Sequence, residues 1–595
     1  MAKTPLNAHI GNTTFRRPWR IPEGLRALNY VQSTYSFKDN RKTSSFEKKL
    51  EEELVLRGVI DSEGTSGGWV GAFARKFLNL CQHFGFVTPR PKVANGKGEF
   101  ILDENGNDYF VIKIFNELRK NPSTNAKPFS ITPLGELLMN TKSDGKELNS
   151  EQKDIFLKSL FHQTQPSILQ KYSSDYEGEN FNLFKVYLKI LLDLKTRNKD
   201  PWISEGEMAA VVNRYKTNNI KNIVEEILLF RRKKIGKEKI FAEKWYKKKT
   251  GSLKGFNTSY DYVDINFSYS VSTDIIKKKG RKIVLNGGRI DIAKEIIKVK
   301  TKKIEDPLVY LNNLWSGHLL PFENKKLLSK STDKIIKILD KKYSYKKFNK
   351  DTISLDSKKI KTLFYKASDK LSEKREYEYY LNQKNLKLEI SELLNNAENK
   401  IKINDEEITP KPEHLEWIFW RVFLAINSIK NKIKDTRGFP IDDDFLPTHH
   451  APGGKEDLIF DFENLRLIIE VTFKTGTAQV RDEYEPVFRH TIKRMEENNN
   501  KPVYCLFLAP KINNNTAKGF KDYYFNNQND KIYGNIIPME IKQFTKLFDN
   551  LFVQKDVLTP SKLKEILDKT LDSKNDLEPL EWLKKINLII ENNII

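Results

Sequence analysis

Cysteine is nearly absent from this 595-residue chain: Cys81 and Cys505 are the only two, far apart and without a C-x-x-C partner. That excludes a disulfide scaffold and a cysteine-type zinc site, and it suits a reducing compartment. Also missing is any run of about 18 apolar residues of the kind that crosses a bilayer. The opening stretch, MAKTPLNAHIGNTTFRRPWR, carries no apolar signal core. No repeat of solenoid period is visible, and no N/D-P-P-Y or F-x-G-x-G stretch of the methyltransferase kind. The expectation is a soluble cytoplasmic protein with no membrane partner.

What is present is apolar material and positive charge. The chain is 38% apolar, with 36 Phe and eight Trp, enough for real cores. Its length allows about three to five domains at ~100–200 residues each. The formal charge is +24. A Lys-rich proteome from an AT-rich genome also yields such a surplus, but here it is concentrated. Residues 231–300 hold 20 Lys and Arg against seven Asp and Glu, so +13 of the +24 falls in one stretch. A polyanion is expected as partner, and nucleic acid is the commonest.

Four regions follow from the patterning. Residues 1–150 read as helix, helix, hairpin, helix: SSFEKKLEEELVLRGVI, GGWVGAFARKFLNLCQHFGFV ending at Gly85, the hairpin GEFILDENGNDYFVI about an Asn-Gly turn, and ITPLGELLM after Pro133. Helix–helix–hairpin is the winged-helix order, a DNA-recognition arrangement, and Arg16, Arg17, Arg20, Arg75 and Lys76 are its candidate DNA contacts. Residues 151–310 look like a second DNA-binding subdomain, also winged-helix-like. In it a helix starts at a Ser204 cap, and a hairpin in TDIIKKKGRKIVLN carries Lys277, Lys278, Lys279, Arg281 and Lys282 at its tip. Five cations at one tip repel each other unless a phosphate backbone lies opposite; a solvated charged turn is the plainer reading. Residues 311–404 read as a helical linker. Residues 405–595 read as an α/β core in the order α-β-β-α-β-(β)-α, so the chain is expected to be multidomain α+β.

Two acids in that last region are badly placed for ordinary strands. Asp457 opens DLIFDF, and Glu470 interrupts LIIEVTF. If Glu463-Asn464 form a two-residue turn, Phe462 meets Leu465, Phe460 meets Leu467, and Asp457 falls opposite Glu470. Opposed residues have Cβ atoms ~4.5–5.5 Å apart, where like charges are destabilising. Such a pair shares a proton or shares a cation. Hard oxygen ligands with open positions for water suit Mg²⁺, which lowers the pKa of water and neutralises charge on a phosphate. The plainer alternative is a strand cap at Asp457 and an exposed edge at Glu470. Period two adds Thr472 and Lys474 to the Glu470 face. The next helix carries Gln479, Glu483 and His490, with Pro486 expected to kink it. Glu416 lies in the apolar helix PEHLEWIFWRVFLAINSIKNKI and needs a partner there, Arg421 being one possibility. His490 alone reads first as a surface hydrogen-bonding histidine, with a ligand or base role second.

D-x12-E-V-T after a Gly-rich loop and before a helix resembles the PD-(D/E)xK nuclease core. The longer stretch THHAPGGKEDLIFDFENLRLIIEVTFKTGTAQVRDEYEPVFRH resembles the AlwI-like type IIS restriction and nicking endonucleases. RRPWRIPEGLRAL, DIFLKSLFHQTQPS, HLLPF, HLEWIFW and YCLFLAP extend the likeness over most of the chain. The resemblance implies that Asp457 and Glu470 bind Mg²⁺ with the Val471 carbonyl as a further ligand. It implies active-site positions for Glu483 and His490, and a water-mediated approach of Glu416 to the metal. It also implies a bacterial enzyme whose N-terminal half recognises a short asymmetric duplex site, with cleavage at a fixed offset. A second nuclease subunit or transient homodimer is a possible partner.

The motif is not intact. Glu456 stands where the pattern has Pro, and Thr472 where it has Lys, a residue that normally places or polarises the attacking water. Lys474 and Glu483 are both candidates to substitute. Arg481, Arg489, Lys493 and Arg494 are candidates to hold the DNA backbone near the site. Two rival readings are a non-catalytic DNA-binding regulator, which leaves the paired acids unexplained, and a His-metal nuclease on His449, His450 and His490, which lacks its ββα spacing.

Overall fold

The computed structural model describes residues 10–11, 14–35, 43–60, 71–88, 131–143, 145–165, 180–215, 219–301, 304–305, 307–348, 352, 355–403, 406–452, 454–497, 501–522, 524–527, 530–574 and 577–594. The hairpin expected at Gly98–Ile112 lies outside them. The chain divides into two compact units, Met1–Asp369 and Lys370–Ile595.

In the first unit one buried apolar cluster runs from Ile10 to Phe322. Helices α1 (Ile21–Thr34), α2 (Thr43–Leu56) and α3 (Ala72–His83) open it. Gly85, at φ +75°, takes the left-handed conformation that ends α3. After α4 (Pro133–Met139) and α5 (Ser150–His162) comes α6 (Leu183–Thr196), which leads into β1 (Trp202–Ser204) and α7 (Glu205–Ala210). Ser204 caps α7 as expected, in a reciprocal box with Glu207. Next are α8 (Ile220–Lys233), α9 (Glu238–Thr250), α10 (Phe256–Val271), β2 (Ile276–Lys279) and β3 (Lys282–Leu285). The basic stretch does form the expected hairpin. β3 lies between β1 and β2 in a three-stranded antiparallel sheet. α11 (Ile290–Lys298), α12 (Pro307–Trp315), α13 (Lys325–Tyr343) and α14 (Ser357–Gln383) follow, and the division between the units falls within α14.

The second unit continues with α15 (Lys387–Asn395), a small hairpin of β4 (Ile401–Ile403) and β5 (Glu406–Ile408), and α16 (Pro412–Ile426). The hairpin's first strand lies inside the stretch expected to be helical. α16 ends earlier than its apolar pattern suggested, at Asn427, whose φ is +72°. β6 (Leu458–Asp461), β7 (Arg466–Val471), α17 (Gly476–Glu496), β8 (Val503–Ala509), α18 (Asn514–Asp522), β9 (Tyr524–Asn527), β10 (Asp530–Tyr533), β11 (Ile536–Glu540), α19 (Ile541–Phe548), α20 (Pro560–Asp572) and α21 (Pro579–Ile594) complete it. The main sheet has the order β11-β8-β7-β6. β6 and β7 are antiparallel; β7, β8 and β11 are parallel.

Sequence dictates why β8 is apolar throughout. Tyr504, Leu506 and Leu508 enter one core with Trp420 of α16 and Phe544 of α19. Val503, Cys505, Phe507 and Ala509 enter the other with Val487, Phe488 and Ile492 of α17. Both faces of a central strand are covered, so no position is left polar. The same alternation on β7 sends Leu467 and Ile469 to the first core and Ile468 to the second. Glu470 therefore falls on the α17 face.

Candidate active site

The β6–β7 register is the one read from the two-residue turn. Leu458 lies opposite Ile469, Phe460 opposite Leu467, and Asp461 opposite Arg466. Phe462 N donates to Leu465 O at 2.9 Å, which closes the turn at Glu463-Asn464. Continued by one pair, this register sets Asp457 against Glu470. Asp457 Oδ2 accepts the Val471 backbone N–H at 2.9 Å, so its carboxylate is fixed across the strand pair.

Glu470 is 8% exposed. Its Oε1 lies 2.8 Å from His490 Nδ1 on α17. Burial lowers the imidazole's proton affinity, although Glu456 and Asp457 work the other way. His490 is thus a buried partner of Glu470 and not a surface histidine. Glu416 is also buried, and it does not pair with Arg421, which binds Gln383 at 2.8 Å and Glu389 at 2.7 Å. Its Oε2 accepts the Ala451 N–H at 2.8 Å, tying α16 to the loop that precedes β6.

The electrostatics of these acids are unfavourable as they stand. Burial pushes the carboxyls of Asp457, Glu470 and Glu416 well above the ordinary carboxylate range. The acids push one another further: Glu470 acts on Asp457, Glu456 and Glu483 act on Glu470, and Asp457 acts on Glu416. Among the described residues, no three His, Cys, Asp or Glu side chains converge tightly enough to hold a metal ion by themselves. The donor set is hard oxygen, two carboxylates with a strand carbonyl beside them, which suits a hard divalent cation.

The two motif departures have physical explanations. Burial works to raise the Glu456 carboxyl, but Arg494 on α17 holds it below its usual range through hydrogen bonds of 2.6 and 3.1 Å. The residue at the Pro position is therefore half of an ion pair that pins the strand entry to α17. Arg494 also bonds Glu497 at 2.6 Å, so its guanidinium is committed inside the chain and it leaves the phosphate-contact candidates. At the Lys position, Thr472 Oγ1 donates to Glu483 Oε1 at 3.0 Å. Lys474 Nζ reaches the same Glu483 oxygen at 3.2 Å and Asp482 at 3.3 Å. Thr472, Lys474 and Glu483 form one cluster.

One positioning residue was not visible beforehand. Gly438 N donates to Asp457 O at 2.7 Å, and a Cβ at this position would stand 2.4 Å from Glu456 O. Only a glycine admits this backbone contact. Nothing in the residue pattern marks it, because the contact spans nineteen residues of irregular chain.

The other candidates are scattered. Arg489 is exposed and bonds Glu485 at 3.0 Å, and Arg481 bonds the neighbouring Asp482. Lys493 is exposed. His450 is exposed while His490 is enclosed with Glu470, so a shared His-metal centre has no support. In the first unit, Arg20 is buried and donates to Val59 O at 3.0 Å; it faces the core and is removed from the DNA-contact set. Arg16 lies 3.8 Å from Asp264. Arg17 is half-buried beside it. Arg75 is exposed and lies 3.3 Å from Glu47, and exposed Lys76 stands over the Phe73 ring. At the hairpin tip, Lys277 pairs with Asp274 at 2.8 Å and Arg281 with Glu205 at 2.6 Å, while Lys282 stacks on Trp202. The expected repulsion is thus relieved within the chain for these three cations.

The AlwI restriction endonuclease family matches residues 114–547. No protein of established function in the curated set matches significantly. Among solved structures, the small subunit (R.BspD6I2) of the heterodimeric restriction endonuclease R.BspD6I aligns at 29% identity. The alignment covers 35% of this chain and 98% of that one, with a TM-score of 0.28. No described helix is long and apolar enough to cross a membrane.

Proposed function

Since the chain belongs to the AlwI restriction endonuclease family, we propose that it is a Mg²⁺-dependent, type IIS endonuclease that hydrolyses duplex DNA at a fixed offset from a short asymmetric site. The observation that carries this is the opposed pair Asp457 and Glu470 on the α17 face of the sheet, two carboxyls that desolvation and the neighbouring acids raise well above the ordinary range. A regulator that only binds DNA has no use for that pair.

Asp457, Glu470 and the Val471 carbonyl are the proposed ligands. A divalent ion held there would lower the pKa of a bound water and neutralise charge on the phosphate under attack. Val471 N–H holds the Asp457 carboxylate, and His490 holds Glu470. Glu483, oriented by Thr472 and Lys474, is the proposed group that places the attacking water and takes its proton. Attack at phosphorus breaks the bond to the 3′ oxygen and leaves 5′-phosphate and 3′-hydroxyl ends. For recognition, the order α6-β1-α7, then α10-β2-β3 with β3 central, supports a winged-helix reading of residues 183–285.

The deciding experiment is a digest of a mapped plasmid with Mg²⁺, run on native and denaturing gels. Expected is a discrete product set at constant offset from one sequence, and complete loss with EDTA. Cutting that persists in EDTA removes the metal reading; no cutting of any plasmid that carries every short asymmetric site removes the nuclease reading. Gly438→Ala provides a second check. The added methyl group meets backbone, so about 1–3 kcal/mol of stability is expected to be lost, along with cleavage, because Asp457 O is Gly438's partner. Full activity in this variant would show that the loop does not position Asp457.

A further inference from the structure

The turn between α8 and α9 has a surface that none of the interactions above uses. Residues 231–254, RRKKIGKEKIFAEKWYKKKTGSLK, contain eleven cations and two acids. Both ends of the turn are anchored. Arg231 bonds Glu207 at 2.6 Å and the carbonyls of Asp200 and Trp202, and its guanidinium stacks 3.7 Å from the Trp202 ring. Glu238, at the start of α9, accepts the Gly206 N–H at 2.9 Å. Between these anchors Ile235 is 83% exposed, more than any other large apolar side chain among the described residues. Gly236 follows it at φ +73°.

The cations about Ile235 differ from those of the β2–β3 hairpin. Arg231 is anchored and Lys234 lies 3.5 Å from Glu238, but Arg232, Lys233 and Lys237 are exposed and form no ion pair with a described residue. α9 extends the surface, with Ile240, Lys244, Lys247 and Lys248 at i, i+4, i+7 and i+8, all exposed. An apolar tip flanked on both sides by unpaired cations, on a base anchored by hydrogen bonds at both ends, matches a nucleic-acid groove. Phosphates line both walls of such a groove, and bases form its floor.

We propose that this turn enters a groove of duplex DNA, with Arg232 and Lys233 on one phosphate wall, Lys237 on the other, and Ile235 against the base steps between them. The inference rests on duplex DNA being the substrate and adds a contact outside the residues already considered. Its cations bind without regard to sequence, while Ile235 acts through the bases.

The test uses the full chain and a duplex that carries the cleavage site, without divalent ions. Binding is followed by fluorescence anisotropy over a salt series, and bending by circularly permuted gel mobility. The triple variant Arg232→Ala/Lys233→Ala/Lys237→Ala is expected to lower the slope of log affinity against log salt by about 2 to 3. Ile235→Ser is expected to weaken binding about fivefold, reduce the bend and leave the slope unchanged. A wild-type slope in the triple variant overturns the proposal, as does wild-type binding and bending by Ile235→Ser. Binding to phosphatidylserine vesicles that the triple variant loses, with its DNA slope unaltered, would assign the turn to a membrane surface and also overturn it. A wild-type protein that binds no duplex refutes the substrate reading itself, and the turn proposal falls with it.

Discussion

Asp457→Asn is expected to reduce cleavage on the order of a thousandfold while raising the melting temperature of the cation-free protein. Asn retains an oxygen for the Val471 N–H and removes an ionisable carboxyl that faces Glu470. A gain of about 1–2 kcal/mol is the scale for relieving one such functional conflict. The sign with pH follows from the same geometry. A carboxyl whose proton affinity is higher in the folded chain than in the unfolded one keeps its proton as pH rises past about 4. The folded state then binds more protons, so stability falls with rising pH from there up to the folded pKa. The wild type without divalent ions is expected to show that fall, and Asp457→Asn a shallower one. Added Mg²⁺ should offset it in the wild type by about 2.7 kcal/mol at a hundredfold excess over its dissociation constant, and do little in the variant. Melting curves across pH, with and without Mg²⁺, read all three effects. A variant that is both inactive and less stable would mark Asp457 as a structural acid.

Glu483→Ala is expected to slow single-turnover cleavage about a hundredfold, and Lys474→Ala about tenfold, with site binding retained in both. The order of the two effects comes from connectivity. Glu483 receives Thr472 Oγ1 and Lys474 Nζ on one carboxylate oxygen, so losing the lysine leaves the carboxylate held by the threonine. Lys474 is nearly half exposed at the side chain and has Asp482 as a second partner, whereas Glu483 is the common node. The measurement is the single-turnover rate at saturating enzyme, beside the dissociation constant for the same duplex. A larger loss in Lys474→Ala than in Glu483→Ala would transfer the role of the missing motif lysine to Lys474.

The part of the site within one hairpin was legible in the residue pattern, because a two-residue turn at Glu463-Asn464 determines every pairing on β6 and β7. Glu483 and His490 were legible as well: they stand seven residues apart on one helix, and helical periodicity puts both on one face. What escaped depends on partners remote in the chain. Arg20 looks like a surface cation in the sequence, but it is buried and donates a hydrogen bond to the Val59 carbonyl. The hairpin cations looked uncompensated because Glu205 lies seventy-six residues before Arg281. Glu416 offered Arg421 as a neighbour on its own helix, but its partner is a backbone amide at Ala451. The β4–β5 hairpin was hidden for another reason: three-residue strands amid Lys and Glu carry too little apolar alternation to register.

The outer side of β6 has a consequence for assembly. Asp457 O is taken by Gly438 N, Asp461 O by Lys430 N, and Ile459 O by the Asn431 side chain, whose Oδ1 in turn receives Asp461 N. An uncovered border strand with free amides and carbonyls is a template on which another chain can add a strand. Here those groups are already occupied by residues 430–438. The main sheet therefore cannot be continued across β6 into a neighbouring molecule, and any companion chain that joins the second unit on that side must do so through side chains.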